Sequence, residues 1–399
     1  MGSTRFSALG FVPSWDAPTR RLQERALRRR HHMSRKKPAV LGDEKTTEAQ
    51  TSLPGVVSAY AHSGMRGWRH HMEDAVVAEQ ITPALSCFAV FDGHGGDHCA
   101  RWAARELPRR CRALLTAAGG LSGDALSDVR RPLAELMMEM DGELRSHGRL
   151  SWHCGATAVV LLVTAEEICL ANLGDSRAVL CRGSRAVALS RDHKPHEAGE
   201  RTRILQAGGF VADGRVNGDL ALSRALGDFR YKVGLGLGLA NPNPNPNPNP
   251  NPNPNPNPNP NPNPNKSAAG LGVAAQPVSA VPEVALSARR VGDQFVLLAC
   301  DGVWDVMSSP QAVAFVASLL ERAPAPLASA SYHPSRAPPA HDAEVVDEVE
   351  EERLRLGGVV ERLLDECLRR GSTDNMSAVL LHLTISPIYL PYISHISPL

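Results

Sequence analysis

No stretch of this 399-residue chain stays apolar for the roughly 18 to 20 residues that a membrane-crossing helix needs, and no secretory signal opens it. A soluble, intracellular protein is expected, in the cytoplasm or nucleus. The net charge is only +1, which gives no overall steering toward nucleic acid. The eight cysteines, Cys87, Cys99, Cys111, Cys154, Cys169, Cys181, Cys300 and Cys367, include no Cys-x-x-Cys pair. Several lie inside apolar runs, so they read as small buried hydrophobes in a reducing compartment rather than as disulfides or metal clips. Gly2 follows Met1, but Phe6 stands where a myristoylation signal wants Ser or Thr, so no lipid anchor is expected.

What charge there is lies unevenly. Residues 1–40 hold ten Arg and Lys against Asp16 and Glu24, with few aromatics to make a core. The arm, taken as residues 1–52, is expected to lack fixed structure. An organelle transit peptide, a nuclear localisation signal and a solvated tail are equal readings of it, so an organelle stays open beside cytoplasm and nucleus.

The rest of the chain is organised around Cys87-Phe88-Ala89-Val90-Phe91-Asp92-Gly93-His94-Gly95-Gly96. Its first five residues form the apolar run of a buried strand, and the run stops at an Asp followed by three glycines around one His. Glycine there lets the backbone turn with positive φ and lets carbonyls approach an ion closely. A polar turn closing a strand is the plain alternative, and repetition elsewhere weighs against it. Phe295 to Cys300 is a second apolar run ending at Asp301-Gly302. In reverse order, Glu73-Asp74 precedes Ala75 to Ala78, and Asp374-Asn375 precedes Met376 to Leu381. If these strands run antiparallel, five carboxylates meet at one edge. Such a cluster demands a counter-charge, and its hard oxygen ligands suit Mg²⁺ or Mn²⁺ rather than Zn²⁺.

Seven motifs stand in a telling order: Arg69-His70-His71-Met72-Glu73-Asp74, Phe91 to Gly96, Gly174-Asp175-Ser176-Arg177, Asp192-His193-Lys194-Pro195, Ser223 to Asp228, Cys300 to Asp305, and Asp374-Asn375-Met376-Ser377. With these, residues 55 to 384 resemble the metal-dependent type 2C serine/threonine protein phosphatases. The resemblance implies an α+β fold, a four-layer α-β-β-α sandwich of two antiparallel sheets flanked by helices. It implies two Mg²⁺ or Mn²⁺ ions: Asp92 bridging both, Asp301 and Asp374 completing one site, the Gly93 carbonyl with Glu73 serving the other, and Asp74 in or just outside this shell. Arg69 would hold the phosphoryl group, since a guanidinium fork matches two phosphate oxygens. His94 would be the general acid. Each of these two has a plain alternative, a surface ion pair for Arg69 and a turn residue for His94.

The catalytic domain is taken as residues 53–384, with insertions at 233–275 and 323–352 and a tail at 385–399. Helices are predicted over about 97–118, 125–147, 196–207, 311–322 and 359–370, and four short strands over 155–189 read as a meander. Residues 213–232 resemble the family's flap. Twelve Asn-Pro pairs, Asn241 to Pro264, admit neither helix nor central strand and read as a low-complexity surface insertion. The Ala- and Pro-rich stretch 323–352, ending in an acidic run, reads as a solvated loop.

Two departures from the family matter. No acid stands in Leu150 to Cys154, where several members carry a ligand for a third ion. No Trp stands in residues 200–232, so the receptor-gated control of the hormone-regulated plant branch is not expected. The expected partners are phosphoserine and phosphothreonine proteins, with no nucleic acid, no membrane and a monomeric state. The alternatives are an organellar phosphatase of a matrix dehydrogenase and an inactive scaffold homologue; retention of all five acids argues against the latter.

Overall fold

The computed structural model describes residues 41–53, 57–117, 126–232, 272–321 and 343–383. Two antiparallel sheets stack face to face. In one, β1 (Gly42–Leu53), β2 (Val57–Gly67), β16 (Met376–His382), β15 (Asp293–Ala299), β9 (Arg177–Arg182) and β10 (Arg185–Ala188) lie in that order. In the other, β14 (Glu283–Ala288), β8 (Glu167–Leu173), β7 (Ala158–Val163), β4 (Leu85–Phe91) and β3 (Ala75–Thr82) do. Helices α1 (His98–Ala117) and α2 (Arg130–Ser146) cover the outer face of the second sheet, and α6 (Ser309–Glu321) and α7 (Ala343–Arg369) that of the first.

The continuous apolar runs follow from this layering, because a strand covered on both faces cannot alternate with polar residues. Along β4, Phe88 and Val90 point to the core between the sheets, with Val159, Leu161, Val296, Leu298 and Val379. Cys87, Ala89 and Phe91 point the other way, onto α1 and α2. Along β15, Phe295, Leu297 and Ala299 pack beneath α6 and α7. Each fully buried aliphatic or aromatic side chain contributes about 1.5–3 kcal/mol. These layers make the scaffold rigid where the strands end.

Shorter elements finish the cleft. β5 (Gly93–His94), β6 (Gly155–Ala156) and β13 (Leu226–Gly227) form a three-stranded sheet, and β11 (Val211–Ala212) pairs with β12 (Arg215–Val216). Helices α3 (Arg149–Trp152), α4 (Ala198–Gln206) and α5 (Asp301–Trp304) are brief.

Three expectations are corrected here. The arm does not extend to residue 52: Gly42–Leu53 is a strand that pairs with β2 from Gly42↔Gly67 to Leu53↔Val57. It carries no apolar alternation because it is an edge strand whose inward positions are Lys45, Thr47 and Ala49; Thr47 and Ala49 pack on α7 at Gly357, and Lys45 pairs with Asp365 at 2.7 Å. The meander is split: β7 and β8 belong to one sheet, β9 and β10 to the other, and Gly174-Asp175-Ser176 crosses between them. β7, β8 and β9 all have buried runs, so their pattern could not say which sheet each joins. The acidic run at 343–352 is not loop but the first turns of α7. With neither Gly nor Pro from residue 343 to 356, its Ala, Glu and Arg sustain the helix. Strand β14 was not anticipated. Residues 1–40, the Asn-Pro tract, residues 322–342 and the tail 385–399 lie outside the described residues.

The segment resembling the flap is anchored by a buried ion pair. Lys232, 2% exposed, donates to Asp141 Oδ1 at 2.7 Å and to the Ala225 carbonyl at 2.8 Å, and the Gly227 amide donates to the same Asp141 oxygen at 2.8 Å. Lys232→Met would strand a carboxylate in the core and is expected to lower stability by about 3–5 kcal/mol. Urea denaturation checks this, and adding Asp141→Leu to that variant should recover part of the loss.

Candidate active site

Antiparallel pairing brings the acids together. Ala75 at the start of β3 faces Phe91 at the end of β4, and Ala299 at the end of β15 faces Ala378 near the start of β16. Glu73, Asp74, Asp92, Asp301 and Asp374 therefore gather at one end of the sandwich. Carboxylate oxygens of Asp74 and Asp92 and the Cys300 sulfur lie within 4.8 Å of one another. Asp301, the first residue of α5, and Asp374 bear on Asp92 through their charge.

The electrostatics are those of a site built for a cation. Asp74 is 8% exposed, and among the described residues neither of its carboxylate oxygens has a hydrogen-bond partner in good geometry, Ser377 and Cys300 being the nearest donors. Burial chiefly, then Asp374, push it up to about 7, with Ser377 and Cys300 easing the charge only in part. Asp301 is pushed up to about 8 by burial and by Asp175, Asp374 and Asp305. Asp92 is raised well above its ordinary value by burial and then by Asp74, Asp301, Asp175 and Asp374. Orphaned carboxylate oxygens and mutually repelling acids fit a hard divalent ion. Cys300 fits such an ion poorly: burial and the same acids keep its thiol protonated, and its sulfur accepts the Ser377 amide at 3.1 Å.

A pH dependence follows for the chain without metal. Asp74 and Asp301 titrate near 7 and 8 when folded and near 4 when unfolded. The folded state holds their protons longer, so their contribution to stability is complete below about pH 4 and is lost as pH rises through about 7 to 8. The melting temperature of EDTA-stripped protein is expected to fall by several degrees between about pH 6 and 8.5. The upward shift on adding Mg²⁺ or Mn²⁺ should grow over the same range, because the ion displaces those protons. A metal-induced shift that shrinks with rising pH would contradict the cluster's electrostatics.

The loop that carries Arg69 is held rigidly. The Asn375 side-chain amide donates to the carbonyls of Arg66 at 2.8 Å and His71 at 3.0 Å and accepts from the Glu73 amide at 2.9 Å. Gly93 is required by proximity, since a side chain there would collide with the Glu73 carbonyl; Gly95 and Gly96 supply the positive φ, +70° and +126°. Arg69 forms an ion pair with Asp374, its side chain 57% exposed. His94 Nε2 lies 2.6 Å from Asp228 Oδ2. Burial works against the charged ring, but the Asp228 carboxylate outweighs it and raises the imidazole above its ordinary value.

The structure thus brings Asp74, Asp92, Asp301 and Asp374 within reach of one another's charge, pairs Arg69 with Asp374 and sets the Glu73 backbone against Gly93 and Asn375, and it adds others. Asp175, 2% exposed, lies behind the acids, paired with Lys194, and raises both Asp92 and Asp301. Its signal was present in two of the ordered motifs, Gly174 to Arg177 and Asp192 to Pro195. Asp228 and Asn375 also lay inside quoted motifs, but nothing in the sequence said that one would reach His94 and the other clamp residues 66–73. No acid from residues 150–154 joins the cluster, as the sequence requires. Among the described residues no helix is long and apolar enough to cross a membrane.

Residues 58–338 match the family model for protein phosphatase 2C. The chain is 35% identical over 330 residues to the mouse probable protein phosphatase 1N, covering 81% of this chain and 64% of that protein. It is 32% identical over 342 residues to bovine protein phosphatase 1A, covering 83% and 72%. This chain therefore spans somewhat less than two thirds of the length of the first of these relatives. The crystal structure of serine-threonine phosphatase 2C from Toxoplasma gondii superposes with a TM-score of 0.58 at 19% identity, over 86% of this chain and 99% of that one, a likeness of fold. With the ordered motifs, the α+β sandwich and the acid-lined edge all in agreement, the chain belongs to the protein phosphatase 2C family.

Proposed function

We propose that this chain is a metal-dependent serine/threonine protein phosphatase that hydrolyses phosphoserine and phosphothreonine in protein substrates. The observation that carries the reading is the cluster of carboxylates at the sandwich edge, with both Asp74 oxygens orphaned. Two Mg²⁺ or Mn²⁺ ions would be held there: Asp92 shared, Asp301 and Asp374 on one, Glu73 and the Gly93 carbonyl on the other, Asp74 at the base. When bound, such ions lower the pKa of water and neutralise the phosphoryl oxygens.

The chain's own groups do the rest. The Arg69–Asp374 pair is exposed and worth about 0–1 kcal/mol, so the guanidinium is free to turn its fork to two phosphoryl oxygens. His94, whose charged form Asp228 favours, delivers a proton to the departing serine or threonine oxygen. Asn375 keeps the Arg69 loop at a fixed height over the acids, which aligns the phosphoryl group before reaction.

The test is phosphate release from a phosphothreonine peptide by protein stripped with EDTA and then given Mg²⁺ or Mn²⁺. Turnover restored by the ion supports the reading. Calorimetric binding of the ion without turnover of any phosphopeptide or aryl phosphate would mark an inactive homologue instead.

A further inference from the structure

We infer that Asp228 is the positioning residue of His94, fixing the ring through Nε2 so that Nδ1 is the nitrogen presented to the substrate. The inference rests on the reading of His94 as general acid. The two residues stand 134 positions apart, yet the fold devotes a separate structure to joining them. In the three-stranded sheet of β5, β6 and β13, His94 faces Gly155, and Gly155 faces Gly227, the residue before Asp228. These strands are two residues long, and only Ala156 and Leu226 among their six residues join the apolar core. Their evident product is the His94–Asp228 contact.

Four further observations point the same way. Asp228 is 0% exposed and spends Oδ2 on His94, while its Oδ1 has no partner among the described residues, where His94 alone accounts for burying this carboxylate. Its backbone is left-handed at φ +54°, ψ +36°, a conformation Asp and Asn tolerate better than most residues. The strand before it is pinned from behind by Asp141, which takes the Gly227 amide and is itself held by Lys232. Gly155 leaves room for the pair: a Cβ there would lie 2.6 Å from both Asp228 Cγ and His94 Nε2. On the ring's other side, Nδ1 makes no hydrogen bond among the described residues, and the side chain is 27% exposed. A carboxylate on one imidazole nitrogen settles which nitrogen carries the proton there and which faces outward.

A structural filler and a positioning residue differ in how their loss depends on the leaving group. Asp228→Asn is nearly isosteric and suits the left-handed backbone, but its amide NH₂ can oppose Nε2 and reverse the ring's tautomer. On a phosphoserine peptide kcat is expected to fall on the order of 10²-fold with KM within about threefold, and on an aryl phosphate the loss should be at least about tenfold smaller. His94→Gln is measured in parallel on both substrates. If His94→Gln shows no leaving-group dependence, the general-acid reading itself fails. If it does and Asp228→Asn loses both substrates equally, or neither, the positioning inference alone is overturned. Should Asp228→Asn not fold, as judged by melting temperature, Gly155→Ala decides, since its added methyl separates the pair while leaving both residues present. Gly155→Ala with normal melting and full phosphoserine turnover would overturn the inference as well.

Discussion

Asp92→Asn is expected to lower phosphate release from phosphopeptides at least about a hundredfold, and Asp301→Asn to do the same. Both carboxylates sit at strand ends where each feels the others: Asp92 is raised by burial and then by Asp74, Asp301, Asp175 and Asp374. An amide there keeps the shape and removes the charge that draws a cation in. The same substitution has a second consequence that a merely damaged fold would not show. With one mutually repelling acid gone, EDTA-stripped Asp92→Asn protein should melt no lower than the stripped parent, and its melting point should respond less to added Mg²⁺. Loss of activity beside retained or improved metal-free stability is the signature of a site that sacrifices stability for function. Near-normal turnover of either variant would remove these residues from the metal site.

How far the sequence revealed this site depends on how locally each residue's role is encoded. The run from Cys87 to Phe91 could be read as a buried strand because both its faces are covered, and Asp92 at its end could be read as a site residue because a charge seldom follows such a run without a use. The antiparallel convergence followed from order alone, acids after two strands and before two others. β1 was illegible for the opposite reason: its inward residues are Lys45, Thr47 and Ala49, so an edge strand under a helix looks like a polar tail. Which sheet β8 and β9 join depends on packing between layers, which a run of buried residues on either side of Gly174 does not record. Asp228 and Asn375 act across 134 and 302 to 309 positions respectively, and such contacts exist only once the sheets have formed.

His94→Gln is expected to slow a phosphoserine peptide by roughly 10² to 10⁴, and an aryl phosphate much less. A serine alkoxide is a poor leaving group and needs a proton as the ester bond breaks, whereas a phenolate leaves readily without one. The ring is suited to that task because Asp228 raises its pKa against the effect of burial and so favours the charged form. Glutamine makes the comparison a clean one. Its amide can still donate to the Asp228 carboxylate, as the ring nitrogen does across 2.6 Å, so the three-stranded sheet and the acid cluster keep their shape while proton delivery is lost. The variant should therefore melt near the parent and retain its response to Mg²⁺ or Mn²⁺. Steady-state rates on the two substrates give the answer directly: a large loss on phosphoserine with a small loss on the aryl ester assigns the proton to His94. Equal losses on both would leave the ring a structural part of the turn that follows β4.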